Sequence, residues 1–521
     1  MADIPKFVDF DCETVLQSQI LIKMEKKDLM IFNVCESLSS VKSLNLNLNE
    51  CGTKIQIIQN NKSEEFSLPL FDSFMIRVKV DSNAIYSVNY INLSGNEYET
   101  QQVRPNETQP LQKSSSSKTT TKNSLNALPQ KLYKFPKQIR TNNEKISAVG
   151  IDLGTSRCCV AVNRRNGIET VAIENEGGRQ LPSYVSFDEP KVKCGQIVVD
   201  RLRNHGKSSV FDSKRLIGRD FTAIEVDKTW PFQVINSMDK AIIKIESEVE
   251  EIRKTPEQIA AILLKHLKKI VEEFQGRKLQ KAVITIPATF TQAQEEATHL
   301  AGILAGWDCV ELLPEPIAAS FAYFVDRPIP DLSTVLLFDL GGGTLDVCIF
   351  KIQNEKIQII SKSGDSNLGG RDFDNILINH FSQRLKNNFG ILELESKKYR
   401  LMLECQKIKH CLSIRYDDHL DVSDFDPTRN EFIAITRDDF QQLTLQLLTK
   451  IKKIINSAFD NIELHPSQID KILQVGGGCR MPMIKTLLQE IFPDAEHSCE
   501  EHPDEVVAVG AAYYSYYLNY D

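Results

Sequence analysis

The sequence predicts an α/β domain over residues 146–521, preceded by a small all-β sandwich over 1–103 and a flexible linker over 104–145. Three observations carry that division. Composition changes character near residues 104 and 146. From Ala148 onward apolar strands alternate with amphipathic helices, which is the pattern of an α/β layer architecture. Within that half, one strand–turn–strand motif occurs twice.

Residues 1–103 hold short β-prone runs: QILIKM at 19–24, LMIFNV at 29–34, KIQII at 54–58, FMIRVKV at 74–80 and AIYSVNYI at 84–91. Clusters of Asn, Gly, Asp and Ser separate them, as in a small antiparallel sandwich. The linker carries SSSSKTTTKNS at 114–124 together with Pro105, Pro110, Pro129 and Pro136, a composition too polar to fold alone. Its basic piece, KLYKFPKQIR at 131–140, reads as solvated tether in preference to a nuclear-import or anion-binding patch. Further on, Thr255 can cap a helix with Pro256 in its first turn, and Gln258 completes a capping box. Ile259, Ile262, Leu263, Ile270, Val271 and Phe274 form its apolar face, and Gly276 stops it. A buried strand, KAVITI at 281–286, and a second helix from Thr291 follow.

Bulk properties exclude several classes. A chain of 521 residues is too long for one core, so at least two domains are expected. The net charge of −8 argues against a broad nucleic-acid surface, and no apolar run approaches the length of a bilayer span. Twelve cysteines without a CxxC pair read as reduced thiols. The N-terminus, MADIPKFVDFDCET, lacks a signal-peptide profile, and a cytoplasmic location, with the nucleus as an alternative, is the expectation.

The chemistry lies in the repeat. SAVGIDLGTSRCCVAV opens the second half, and VLLFDLGGGTLDVCIF returns 187 residues later, counted from Asp152 to Asp339. In each, an apolar strand ends in Asp-Leu-Gly with Thr in the turn. Glycines let backbone N–H groups approach phosphate oxygens, and a strand-end carboxylate can bind water on Mg²⁺. Two facing copies would clamp a polyphosphate. A third glycine turn, LQVGGGCRMP at 473–482, could pass under a nucleoside. One such turn alone is an ordinary hairpin feature. Two matched copies with VGGG are far harder to explain that way. Neither a P-loop nor a GxGxxG fingerprint is present.

These segments resemble the phosphate and adenosine motifs of the seventy-kilodalton heat-shock family, within the actin-like ATPase superfamily. The resemblance extends through NEGGRQLPSYVSF, VFDSKRLIGRDF, ITIPATF, LLPEPIAASFAY, GDSNLGGRDFD and HPDEVVAVGAA. It implies an actin-like fold, two duplicated lobes around a cleft, binding ATP or ADP with Mg. Asp152 and Asp339 would hold the metal through water, and Lys214, Glu315 and Thr344 would join them in catalysis. Gly154, Thr155, Ser156 and Arg157 would cradle one phosphate, and Gly341, Gly342 and Gly343 would approach from the other lobe with Asp346 in support. Gln406, Lys409, His410 and Ser413 would meet the adenosine, with Gly476, Gly477, Gly478, Arg480 and Asp504 beside it.

The chain departs from the family at Gln406 and His410, where a Glu and an Arg are usual, and at Gly478, usually Ser. Gln292, Glu295 and Glu311 stand where the family uses an Asp and two arginines, on the surface that senses the substrate domain and docks J-proteins. Coupling to J-proteins is therefore doubtful, whereas exchange factors remain plausible partners. The sequence ends at GAAYYSYYLNYD without the family's peptide-binding module, so client binding of the usual kind is not expected. Residues 64–92 resemble the later strands of a galectin-type sandwich. With no Trp or His in residues 1–103, an interaction role with an unknown protein partner is expected there instead of lectin activity. The favoured function is a chaperone-like ATPase; the alternative is a pseudo-ATPase acting as a nucleotide-gated scaffold.

Overall fold

The computed structural model describes residues 142–519 with short interruptions (174–176, 238, 248–250, 327–328, 461 and 500–501), the strand Tyr133–Lys134, and the backbone of eight strands between residues 18 and 103. The chain divides into two compact units, Met1–Ser124 and Leu125–Asp521. The first contains two four-stranded antiparallel sheets. One runs Lys27–Val34, Ser18–Met24, Lys54–Gln59, Lys62–Ser67, and the other Ser40–Asn47, Ser73–Val80, Tyr86–Asn92, Tyr98–Val103. The five β-prone runs of the sequence fall on five of these strands. The remaining three, SVKSLNLN, KSEEFS and YETQQV, are polar, and ladder pairing assigns them where propensity does not.

The second unit is built from two sheets of the same design. In the first lobe the order is Gly167–Thr170, Arg157–Arg164, Val149–Asp152, Lys281–Ile286, Cys309–Pro314. In the second it is Lys356–Asp365, Leu345–Gln353, Thr334–Leu340, Lys471–Val475, Glu496–Cys499. Each is a three-stranded antiparallel meander continued by two parallel strands. The strands bearing Asp152 and Asp339 occupy equivalent central places, which is why they read as near-continuous apolar runs.

The lobes exchange helices. Glu315–Asp326 follows the last strand of the first lobe, yet Ile317, Ala318 and Phe321 share a core with Leu337, Phe350 and Leu473 of the second. Val506–Leu518 follows the second sheet but packs Ala508 and Ala512 against Cys159 and Ala161 of the first. Where the two helices cross, a Cβ on Gly510 would lie 1.6 Å from the Ala318 carbonyl oxygen. A Cβ on Gly150 would lie 2.1 Å from the Ala512 nitrogen. Close backbone approach at this seam demands glycine.

The expected helix is Pro256–Gln275, with the Thr255–Gln258 capping box formed and Gly276 in the left-handed region at φ 67°. The next begins at Gln292 behind a Thr291 cap, and Lys281–Ile286 forms the intervening strand. One finding departs from the reading of 131–140 as solvated tether: Tyr133–Lys134 pair antiparallel with Lys356–Ile357, adding a sixth strand to the second sheet. Tyr133 is buried in that lobe's core because its ring covers the otherwise open sheet edge beside Ile352 and Ile357. The rest of the expected 104–145 linker, apart from 142–145, lies outside the described residues. The described cysteines are all free thiols, and no helix among the described residues is long and apolar enough to cross a membrane.

Candidate functional site

Both Asp-Leu-Gly turns open into one cavity of about 930 Å³ between the lobes. On the first lobe, the Gly154 carbonyl accepts from Ser183 Oγ at 2.7 Å, and a Cβ on Gly154 would lie 2.1 Å from the Arg157 carbonyl oxygen. On the second, Gly341 N–H donates to the Thr344 carbonyl at 3.0 Å, closing a tight loop. The helix Gly370–Phe389 then clips that loop, because Gly370 N–H donates to the Gly341 carbonyl and Arg371 N–H to the Gly342 carbonyl. The two loops face each other closely: a Cβ on Gly342 would lie 2.1 Å from Ser156 Oγ. The third glycine turn follows the strand Lys471–Val475. Gly476, at φ 80°, lies so near Asp339 that a Cβ would come within 2.6 Å of its Oδ1.

Of the residues singled out from sequence, Asp152, Gly154, Thr155, Ser156, Arg157, Lys214, Glu315, Asp339, Gly341, Gly342 and Thr344 line this cavity. Gln406, Lys409, His410, Ser413, Gly476, Gly477, Gly478, Arg480 and Asp504 line it as well. Gly343 and Asp346 stand behind the lining. Gly343 packs toward Thr155 and Arg215, and Asp346 is buried, accepting from Thr289 Oγ1 at 3.0 Å. Asp346 therefore braces the loop from behind the cavity lining.

The electrostatics of the cavity floor are strained by like charge. Burial, then Glu315, pushes Asp152 up to about 7. Burial also raises Asp339 well above the ordinary carboxylate range, with Glu315, Asp346 and Asp152 adding to it. Asp346 is likewise pushed up to about 7 by burial and Glu315. Lys214 is the cation at the centre, paired to Glu315 Oε1 at 2.7 Å with both side chains almost fully buried. Burial alone would lower the lysine, but Glu315 and Asp152 outweigh it and hold the ammonium charged. A buried group of carboxylates with one cation favours further positive charge. Among the described residues, no three His, Cys, Asp or Glu side chains gather as direct metal ligands. Asp152 and Asp339 are carboxylates of the kind that would suit a hydrated divalent ion.

The helix Lys398–Leu412 contributes Gln406, Lys409 and His410 to the cavity lining. Gln406 is among the lining residues, and its Nε2 is buried with no hydrogen-bond partner among the described residues. His410 keeps its ring open to the cleft. Desolvation by the surrounding walls, then Lys409, pushes it down to about 4, so the ring is neutral at physiological pH. Lys409 is held back by Asp374 Oδ1 at 2.7 Å and the Gly370 carbonyl at 2.9 Å, and Ser413 Oγ donates to the Lys409 carbonyl at 3.1 Å. Opposite them, Arg480 Nη2 donates to Asp504 Oδ1 at 2.7 Å, while Gln180 reaches Asp504 from the first lobe.

Residues 148–519 match the family model described as Hsp70 protein. The chain belongs to the Hsp70 family. It is 36% identical over 370 residues to the heat shock 70 kDa protein of Neurospora crassa, covering 70% of this chain and 57% of that relative. The heat shock 70 kDa protein 2 of Paracoccidioides lutzii is 35% identical over 371 residues, with 70% and 56% covered. The heat shock 70 kDa protein of Emericella nidulans is 35% identical over 370 residues, with 70% and 57% covered. The chain spans somewhat more than half the length of these relatives.

Within this Hsp70-family domain, sequence reasoning missed several residues that shape the cleft. Tyr184, Gln180 and Arg371 line it, and Asp212 and Arg215 flank Lys214. The signal lies in VFDSKRLIGRDF, GDSNLGGRDFD and NEGGRQLPSYVSF, the segments that carry these residues. Only partner geometry reveals which members of each segment meet.

Proposed function

We propose that residues 146–521 bind ATP with hydrated Mg²⁺ and hydrolyse it to ADP and phosphate, in the manner of a chaperone-type nucleotide domain. The observation that carries this reading is the convergence of Lys214, Asp152, Glu315 and Asp339 between two facing Gly-Thr loops in one cavity. When bound, the metal ion supplies charge neutralisation on the phosphates. The chain supplies the rest. Gly154, Thr155, Ser156 and Arg157 offer donors to the inner phosphates, and Gly342 and Thr344 approach the terminal one from the opposite lobe. Lys214 exchanges its contact with Glu315 for the γ-phosphate oxygens, countering charge that grows as the bridging P–O bond breaks. Asp339 and Glu315 orient the water whose oxygen forms the new P–O bond. Positioning and charge stabilisation account for the catalysis, and no covalent intermediate is needed.

A second reading, a nucleotide-gated scaffold with little turnover, is favoured by the adenosine wall: His410 is neutral and Lys409 is committed to Asp374. Phosphate release from bound ATP by the full chain decides between the two. Stoichiometric binding with no phosphate above background selects the scaffold.

The same reading implies slow basal turnover that an ordinary J-domain does not stimulate. Glu295 is exposed in the first turn of the helix Gln292–Leu304, and Glu311 lies on the neighbouring strand. An acidic surface there disfavours a contact that the family makes through arginines. Exchange factors, which grip the outer lobes in the resembled family, remain compatible.

A further inference from the structure

Two arginines cross the cleft in opposite directions. Arg215 belongs to the first lobe, in the short 3₁₀ turn Ser213–Arg215 that carries Lys214. Its Nη2 reaches the second lobe, donating to the Gly343 carbonyl at 3.3 Å and to Asp372 Oδ2 at 3.1 Å. Arg371 belongs to the second lobe, and its own N–H donates to the Gly342 carbonyl of the phosphate loop at 2.8 Å. Its side chain returns to the first lobe, where Nε donates to Asp212 Oδ1 at 3.1 Å and Nη2 to Tyr184 Oη at 2.6 Å.

Asp212 is the residue that begins the Lys214 turn, and it does so in the left-handed region, at φ 58° and ψ 22°. A non-glycine residue stays there when its surroundings hold it. Its carboxylate is completely buried, with Trp230 Nε1 on Oδ2 at 3.3 Å and Arg371 as its cationic partner. The guanidinium of Arg371 lies 5.5 Å from the Tyr184 ring centroid and 5.4 Å from that of Phe211, two rings that stack on one another. One buried side chain thus touches the residue that sets the Lys214 turn, while its backbone holds the loop expected to meet the same phosphate.

We propose that Arg371 is a positioning residue for the ATPase reaction: by bridging the second-lobe phosphate loop to Asp212, it fixes the Lys214 turn when the lobes are closed and slows their opening. This rests on the ATP-hydrolysing reading of the cleft. Arg371 needs no contact with the reacting atoms. The bridge couples lobe closure to the alignment of Lys214, because opening of the cleft would break the Asp212 and Tyr184 contacts while the Arg371 backbone stays with the second-lobe loop.

The test is a double-mutant cycle on the full chain with Arg371→Gln, which removes the charge and shortens the side chain, and Asp212→Asn, which removes the charge at constant size. Removing one partner leaves the other charge buried and unpaired, so unfolding by heat is followed for every variant, and the neutral double variant is the one expected to melt nearest the wild type. Two rates are read: single-turnover hydrolysis of pre-bound ATP, and dissociation of ATP carrying a ribose fluorophore. Each single change is expected to slow hydrolysis by about tenfold and to speed dissociation, and the double variant is expected to be no worse than either single one. In a Lys214→Ala background, Arg371→Gln is expected to leave the residual hydrolysis unchanged while still speeding dissociation. Additive effects on dissociation, or an unchanged dissociation rate in a folded Arg371→Gln variant, would overturn the bridge. If the wild type hydrolyses no faster than Lys214→Ala, the hydrolysis reading fails by itself, and the dissociation cycle still decides whether Arg371 holds the lobes together.

Discussion

The two lobes share a sheet order and a strand-ending aspartate, yet they do different work with them. In the first lobe the loop after Asp152 is rich in side-chain donors, Thr155, Ser156 and Arg157. In the second, the loop after Asp339 is nearly bare backbone, Gly341, Gly342 and Gly343 before Thr344. The bare loop can approach where the decorated one protrudes, as the Gly342–Ser156 contact shows. The edges differ as well: the second sheet carries the extra Tyr133–Lys134 strand on its meander side. Duplication provides the frame, and departures from symmetry make a site from it.

The largest effect is expected at the seam that both lobes share. Gly510→Ala places a methyl against the Ala318 carbonyl, which packed backbone cannot avoid, and should destabilise the domain by about 3 kcal/mol or more. Chemical denaturation checks this, and a loss under about 1 kcal/mol would mean that the helix crossing is looser than described.

The loops can be compared next. Gly342→Ala should force the two loops apart and weaken ATP binding by about tenfold. Gly341→Ala, whose nearest contact would be an ordinary 3.6 Å, should cost far less. Calorimetric titration of both variants reads the difference, and equal losses would contradict the contact.

The sheet edges give a third comparison. Tyr133→Ala should cost roughly 1–3 kcal/mol, the worth of a buried aromatic ring, and should speed hydrogen exchange selectively along Lys356–Asp365. Unchanged exchange in that strand would show that the added strand does not protect the edge.

Charge on the cleft floor makes binding depend on pH. Asp152 is pushed up to about 7 in the free protein, so it gains a proton as pH falls from 8 to 6. If Asp152 holds the magnesium water as proposed, ATP binding needs its ionised form, so affinity should fall by about tenfold over that range, and binding near pH 7 should release protons. Titrations in buffers of different ionisation enthalpy would reveal the release. A pH-independent affinity would contradict the assigned role of this carboxylate. The smallest effect is expected at the adenosine wall, where His410→Arg adds a permanent charge and should strengthen ATP binding by roughly 0.5–2 kcal/mol.

Much of this was legible in the sequence because it is local or repeated. The Thr255 and Thr291 caps, the strand at 281–286 and the matched Asp-Leu-Gly turns are each specified within a few residues. Partner choice across the cleft was not. Arg215 and Arg371 lie 156 positions apart, and nothing in either segment announces that each reaches past the other to the opposite lobe. Lys409 lines the cavity as its segment suggests, but its ion pair with Asp374 could not be read from the sequence. Tyr133 sits in a stretch whose composition reads as tether, and its burial follows from an open sheet edge hundreds of residues away in the chain.

Lys214→Ala in the full chain tests whether Lys214 counters charge developing during γ-phosphate transfer. ATP affinity and the single-turnover rate of phosphate release are measured side by side. The wild type is expected to turn over, and the variant to keep its affinity within about tenfold while its rate falls about hundredfold or more. Equal losses of affinity and rate, or a wild type that binds ATP without releasing phosphate, would contradict that role.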